Sequence, residues 1–297
     1  MPARTLDARQ RCEVRVYDVA SATDACLFTT ADILLEAPNW APKGDALILN
    51  GDGRLWRLAL EAPALEAIPL GGIPPINNDH VLDPDGTHIF LSANGDGHIY
   101  RAPLSGGQAV RVSGPGSPDG MLHFLHGVSP DGATLAFVGV LLDETSETGA
   151  FASAEICLIA ADGNGFRQIT ASGTPADGPE YSPGGEWIYF NTEAFSGHAQ
   201  IARMRPDGSD PERLTFSDTV DWFPHISPDG ALAVFLAYEP GTRGHPADQP
   251  VSLKLVRGGD WLSPETIVRL HGGQGTINVN SWSPDSQRFA YVAYPFE

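Results

Sequence analysis

Positive charge is scarce in this chain: 18 Lys and Arg stand against 37 Asp and Glu, a net charge of −19. A surface of that sign repels phosphate backbones and anionic lipid, which argues against nucleic acid and membrane surfaces as partners. It favours solubility, and cations or basic groups as ligands. Cysteine is scarce too. Cys12, Cys26 and Cys157 form no C-x-x-C pair and cannot all pair internally, so buried or half-buried thiols in a reducing compartment are expected. No apolar run approaches the length of a membrane span, and the N-terminal "MPARTLDARQRCEVRV" lacks the apolar core of a signal peptide. As written, the chain is expected to stay in the cytoplasm; a leader removed beforehand would make it periplasmic. Nucleophile elbows (G-x-S-x-G), zincin motifs (H-E-x-x-H) and phosphate-binding P-loops are all missing. "AADGNG" and "RPDGSD" lack the alternating carboxylates of a calcium loop and read as hairpin turns.

What the chain has in quantity is glycine (33) and proline (25), within 297 residues that are 42% hydrophobic and able to bury a core. Gly and Pro also punctuate a repeat. Aligned on a turn proline, six copies follow one another: "NWAPKGDALILN" (Pro42), "HVLDPDGTHIFLS" (Pro84), "HGVSPDGATLAFV" (Pro130), "PEYSPGGEWIYFN" (Pro183), "PHISPDGALAVFL" (Pro228) and "NSWSPDSQRFAYV" (Pro284). Proline presets φ for the turn, and Asp-Gly supplies an acceptor and a residue tolerant of positive φ. A strand-like run such as "ALAVFLAY" follows each turn, then two more in each unit. "NGDG" at Asn50–Gly53 and again at Asn94–Gly97 stands where a hairpin belongs. Four strands per unit of about 45 residues predicts an all-β, six-bladed β-propeller of four-stranded antiparallel blades. The sixth copy ends two strands in, while the chain opens with two unclaimed ones, "CEVRVYDVA" and "ACLFTT". The N-terminal strands, about residues 11–30, are therefore expected to complete the last blade, about 276–295, and to close the ring. A single domain over residues 1–297 follows. Extra length at Asp143–Ser153 and Glu239–Gln249 reads as loop insertions in blades three and five.

The Ser-Pro-Asp-Gly turn in a six-fold series resembles the WD-like repeat of the TolB propeller superfamily, from Asn39 to Tyr294. That resemblance implies the propeller alone. TolB itself carries a further α/β domain, for which this chain has no room, so its Tol–Pal role is not carried over. Fold alone does not imply function.

Function is sought at the channel that the first strand of each blade lines. Two positions before each turn proline stand Trp40, Leu82, Val128, Tyr181, Ile226 and Trp282, all apolar and expected in the core. Three or four positions before it each blade offers one polar group: Asn39, His80, His126, Glu180, His225 and Asn280. Further out come Asn77, Asn78, Asp79, His123, Asp177, Asp221, Trp222 and Asn278. The ligand-binding candidates are Asn78, Asp79, His80, His123, His126, Asp177, Glu180, Asp221, Trp222, His225 and Asn280, expected to converge on one funnel. The histidines His80, His126 and His225 are candidate ligands of a divalent metal such as Zn²⁺ or Mn²⁺, although they lack the short spacings of a specific metal motif. Asn, Asp and His beside Trp222 equally suit a sugar or other small polar ligand. A water-filled channel with a satisfied polar lining is the third alternative.

A binding or scaffold protein is the leading expectation, monomeric, with a protein or a small polar or carbohydrate ligand as partner. The alternative is a metal-assisted carbohydrate-active enzyme, since the repeat is similar to that of the oligogalacturonide lyases. That similarity covers the repeat only, and the blade number differs. Partner capture by the two loop insertions is a further expectation.

Overall fold

The computed structural model describes residues 4–143 and 151–296, and every regular element in it is a β-strand. Blade 1 comprises Leu35–Trp40, Ala46–Gly51, Arg54–Ala59 and Leu65–Ile68, in that order from inside to outside. Blades 2 to 5 repeat the plan, with first strands Ile76–Leu82, Leu122–Val128, Ala176–Tyr181 and Val220–Ile226. The molecule is thus a six-bladed propeller. No helix among the described residues is long and apolar enough to cross a membrane.

The repeat turn does what its residues dictate. The second residue after each turn proline has positive φ: five are glycines, from Gly44 at 75° to Gly230 at 73°, and the sixth is Ser286 at 61°. In three copies the turn serine donates to the turn aspartate, as Ser227 Oγ does to Asp229 Oδ1 at 2.6 Å, fixing the Asx side of the turn. In "NGDG" of blade 1, Asp52 and Gly53 both have positive φ, the geometry that matches a two-residue hairpin to strand twist.

Closure follows the expected route. Cys12–Asp18 pairs antiparallel with Arg288–Ala293 on one side and Thr23–Thr30 on the other, with Val16 opposite Ala290. The innermost part of this last blade is irregular. Residues 276–283 hold to it through the Trp282–Phe289 bridge and the bonds Ala290 N to Ser281 O (3.1 Å) and Val292 N to Thr276 O (3.0 Å).

Buried hydrophobics collect in the wedges between blades. Trp222, Val234 and Leu236 of blade 5 pack with Trp282, Phe289 and Tyr291 of blade 6, while Phe90 and Ile99 of blade 2 pack with Leu125 and Phe137 of blade 3. Each such side chain, fully buried, contributes roughly 1.5–3 kcal/mol, so the ring is held by its wedges. Of the six positions two before the turn proline, Trp40, Tyr181, Ile226 and Trp282 are buried, while Leu82 and Val128 are half-buried. Cys12 and Cys157 are buried and unpaired, and Cys26 is exposed. Of the two insertions, residues 144–150 lie outside the described residues; in the second, residues 239–248 form a loop that reaches the channel through His245, Pro246 and Ala247, and Gln249 opens the next strand.

Candidate functional site

The channel-lining strands all carry a β-bulge, and the bulges decide which side chains reach the channel mouth. In blades 1, 4 and 5 the bulge falls between Glu36 and Asn39, Asp177 and Glu180, and Trp222 and His225. Each holds a residue with positive φ followed by proline: Ala37 (52°), Gly178 (61°) and Phe223 (55°). Ala37 and Phe223 are strained there, since only glycine adopts this region without cost. In blade 3 the bulge comes later, between Leu125 and Gly127, and His126 is the unpaired residue. A bulge re-aims a side chain. His126 accordingly reaches the mouth from a position that in the other blades points elsewhere.

The mouth is a cavity of about 410 Å³ lined from all six blades. Glu36, Asn78, Phe124, Asp177 and Asn278, all six positions before their turn prolines, form its ring. Trp222 holds the same position in blade 5 but stays behind the lining, and Phe223 takes its place.

Electrostatically, the mouth centres on His126. Its Nε2 lies 3.3 Å from Asp177 Oδ1 and 3.7 Å from Asp79 Oδ1, and its Nδ1 lies 3.1 Å from the carbonyl of Asn278. Both ring nitrogens face acceptors, so the imidazolium is the form that fits. Burial alone would lower its pKa, but the two carboxylates prevail and raise it to about 9. Burial pushes Asp79 up to about 6 despite the histidine, whereas the half-buried Asp177 is held below its ordinary value by His126 and His245. The three groups titrate as a unit. His245, from the blade 5 loop, packs on Trp222 at 4.4 Å between ring centres, with Nε2 3.8 Å from Asp177 Oδ2; burial lowers its pKa.

A second network joins the rim. Arg4 Nη1 donates to Glu36 Oε1 at 2.9 Å, Asn50 Nδ2 to Glu36 Oε2 at 3.0 Å, and Asn78 Nδ2 to Glu36 Oε1 at 3.3 Å. Gln274 Nε2 donates to Asn78 Oδ1 at 3.2 Å. Three buried polar atoms of the lining have no hydrogen-bond partner: the acceptor Asn50 Oδ1 and the donors Asn278 Nδ2 and Arg4 Nη2, the last only at ion-pair distance (3.5 Å) from Asp248 Oδ2. Buried groups left unpaired in this way call for an explanation.

The expected site residues therefore separate into three places. Asn78, Asp79, His126 and Asp177 come together at the mouth, with Asn77 beside Asp79. His80, Glu180, His225 and Asn280 lie outside the cavity lining in a packed network. Asn39 Oδ1 accepts from His80 Nδ1 at 2.8 Å and Asn39 Nδ2 donates to the Asn280 carbonyl; Asn280 donates to Glu180, and Glu180 also holds His225 Nδ1 (2.7 Å) and the amide of Ile226 (2.8 Å). Burial lowers the His80 pKa to about 3, and its Nε2 has no partner. The third group stands apart. His123 bonds Gly97 O and Ser117 Oγ against Phe137, Asp221 accepts from Ser217 and Thr219, and Trp222 is core. The metal candidates His80, His126 and His225 are committed to different protein partners. Among the described residues no group of three or more His, Cys, Asp or Glu is arranged to hold a metal ion.

Sequence reasoning missed Arg4, Glu36, Asn50, Phe124, Phe223, His245 and Gln274. For Glu36 and Phe124 the signal was present at the sixth position before the turn proline. For Arg4, Asn50 and Gln274, outside the repeat's inner strand, there was none.

No family model matches the chain. It is 37% identical over 288 residues to an uncharacterized protein of Agrobacterium fabrum, covering 96% of this chain and 92% of that one. Among solved structures, a provisionally designated TolB from Agrobacterium tumefaciens superposes with a TM-score of 0.86 at 36% identity, over 96% of this chain and 99% of that one. TolB from Acinetobacter baumannii shares the fold at 16% identity and a TM-score of 0.61, over 91% of this chain and 66% of its own.

Proposed function

Because the chain belongs to the TolB-like propeller family, whose fold is shared by many functions, we propose that it is a binding protein whose channel mouth holds a small polar ligand. One observation carries this reading: a cavity of about 410 Å³, lined from all six blades, whose buried Asn50 Oδ1 and Asn278 Nδ2 have no protein partner. Small-ligand sites commonly span about 300–1,000 Å³ and join an apolar wall to a few convergent polar groups. Phe124, Val140 and Ala154 supply the wall, and Asn78, Asp79, His126 and Asp177 supply polar groups. The blade 5 loop belongs to this same site through His245, which supports a ligand role for it rather than a separate partner face. Metal-assisted carbohydrate elimination has no observation in its favour among the described residues.

The test is a thermal-melt panel of sugars, amino acids, organic cations and organic anions at millimolar concentration. At least one class should raise the melting temperature of the parent and fail to do so in Ala154→Phe, which fills the mouth. Equal shifts in both proteins would place the binding elsewhere.

A further inference from the structure

The chain already puts one group into the mouth, and its chemistry is specific. Arg4 precedes the first strand and its guanidinium sits in a cradle: Glu36 Oε1 at 2.9 Å, the Gln274 carbonyl at 2.5 Å, Asp248 Oδ2 at 3.5 Å, and the face of Tyr294 at 5.1 Å. Glu36 and the Gln274 carbonyl both accept from Nη1, Asp248 faces Nη2, and the ring of Tyr294 lies under the plane, a combination of charge-assisted bonds and an aromatic face that suits a guanidinium. Outside this cradle, the arm is anchored by Leu6, packed against the wedge between blades 1 and 6. Residues 4–9 form no strand, and the arm joins the sheet only from the Gln10–Phe296 bridge onward.

The rest of the lining favours the same charge. Glu36, Asp52, Asp79 and Asp177 contribute carboxylates, against Arg4 and His126 as cations. The unpartnered Asn50 Oδ1 is an acceptor, and its own amide donates to Glu36, so it lies beside the cradle and can receive another N–H. Phe124, Val140 and Ala154 give an apolar surface along which a short stem can run. An anion in the place of Arg4 would meet the carboxylates of Glu36 and Asp248.

We infer that the mouth is a site for an organic cation, a guanidinium or ammonium group on a short apolar stem, and that Arg4 occupies its head-group subsite until such a cation displaces it. This rests on the binding reading above and names its ligand class. An intramolecular occupant taxes the apparent affinity of any competitor by the fraction of time the subsite is filled.

Calorimetric titration of n-butylguanidinium and its neutral near-isostere n-butylurea tests it, on the parent, Arg4→Ala, Arg4→Lys and Arg4→Ala/Glu36→Gln. Arg4→Ala should bind n-butylguanidinium about tenfold more tightly than the parent. Arg4→Lys, keeping a resident cation, should stay near the parent and serves as the folded control. Adding Glu36→Gln should lose the gain, and n-butylurea should bind at least about tenfold more weakly than the cation, since only the cation forms charge-assisted bonds. An acetyl-Gly-Arg-Gly-amide arm separates a peptide-borne guanidinium from a free one: the better binder identifies the source, and either supports the inference. Equal binding of the urea, or no gain in Arg4→Ala, overturns it. If the cation fails while a neutral or anionic compound of the melt panel still binds and Ala154→Phe blocks it, the cation inference falls and the binding reading stands. If nothing binds in either experiment, the binding reading itself falls.

Discussion

Two polar clusters lie along the same channel-lining strands, only a few residues apart, and they are built on opposite terms. In the inner one, Asn39, Glu180, His225 and Asn280 satisfy one another and the nearby backbone, and only His80 Nε2 is left over. In the mouth, two buried amide atoms lack partners, two carboxylates converge on one imidazolium, and Arg4, on an arm outside the sheets, fills the remaining acidic corner. A polar residue in a channel is thus no sign of binding by itself. A saturated network ties blades together, and an unsaturated one leaves hydrogen bonds for a ligand.

That contrast predicts where stability resides. Glu180→Ala strips acceptors from His225 Nδ1, Ile226 N and Asn280 Nδ2 at once, and breaking a buried charged network costs about 3–5 kcal/mol. Urea unfolding reads this directly. A loss below about 1 kcal/mol would erase the distinction between the two clusters.

A pH series sharpens it next. His126 has a folded pKa raised to about 9 from an ordinary 6.5, so its stabilisation is complete below pH 6.5 and is lost as the pH rises towards 9. Asp79, raised from 3.8 to about 6, has the same sign in a lower window, losing stability between those two values. The melting temperature should therefore fall between pH 6.5 and 9, and His126→Asn should flatten that slope. An unchanged slope in the variant would detach the effect from the mouth.

Smaller effects are expected from single changes at the rim. Asp79→Asn removes a buried carboxylate while Asp177 still pairs with His126 at 3.3 Å, so unfolding at pH 7.5 should stay within about 1 kcal/mol of the parent. Ala37→Gly relieves a left-handed residue, worth roughly 1 kcal/mol, and deletes a buried methyl, worth about 0.8 kcal/mol. The two nearly cancel, and a shift within about 0.5 kcal/mol is expected from the same unfolding curves.

The architecture was legible because local chemistry repeats it. Pro-Asp-Gly turns, strand-like runs between them, and two orphan strands at the N-terminus all state the same fold. Half of the site was legible for the same reason, since Asn78, Asp79, His126 and Asp177 belong to the repeat. Where a strand bulges is marked locally only in blades 1, 4 and 5, by Pro38, Pro179 and Pro224; blades 2 and 3 carry histidine at that position and give no such mark. His80 and His126 both stand four residues before their turn prolines, yet one is packed away and the other lines the mouth. Nor does local sequence reveal that the arm carrying Arg4 and the loop carrying His245 fold back onto the channel, a long-range contact with no periodic signal.

The most direct test of the account is a crystal structure of Arg4→Ala soaked with n-butylguanidinium. The head group should lie between the Glu36 carboxylate and Asn50 Oδ1, with its stem along Phe124 and Val140, and the Glu180–His225–Asn280 network should be unmoved. A cation bound instead among the turn carboxylates Asp83, Asp85 and Asp131, with the mouth empty, would contradict it.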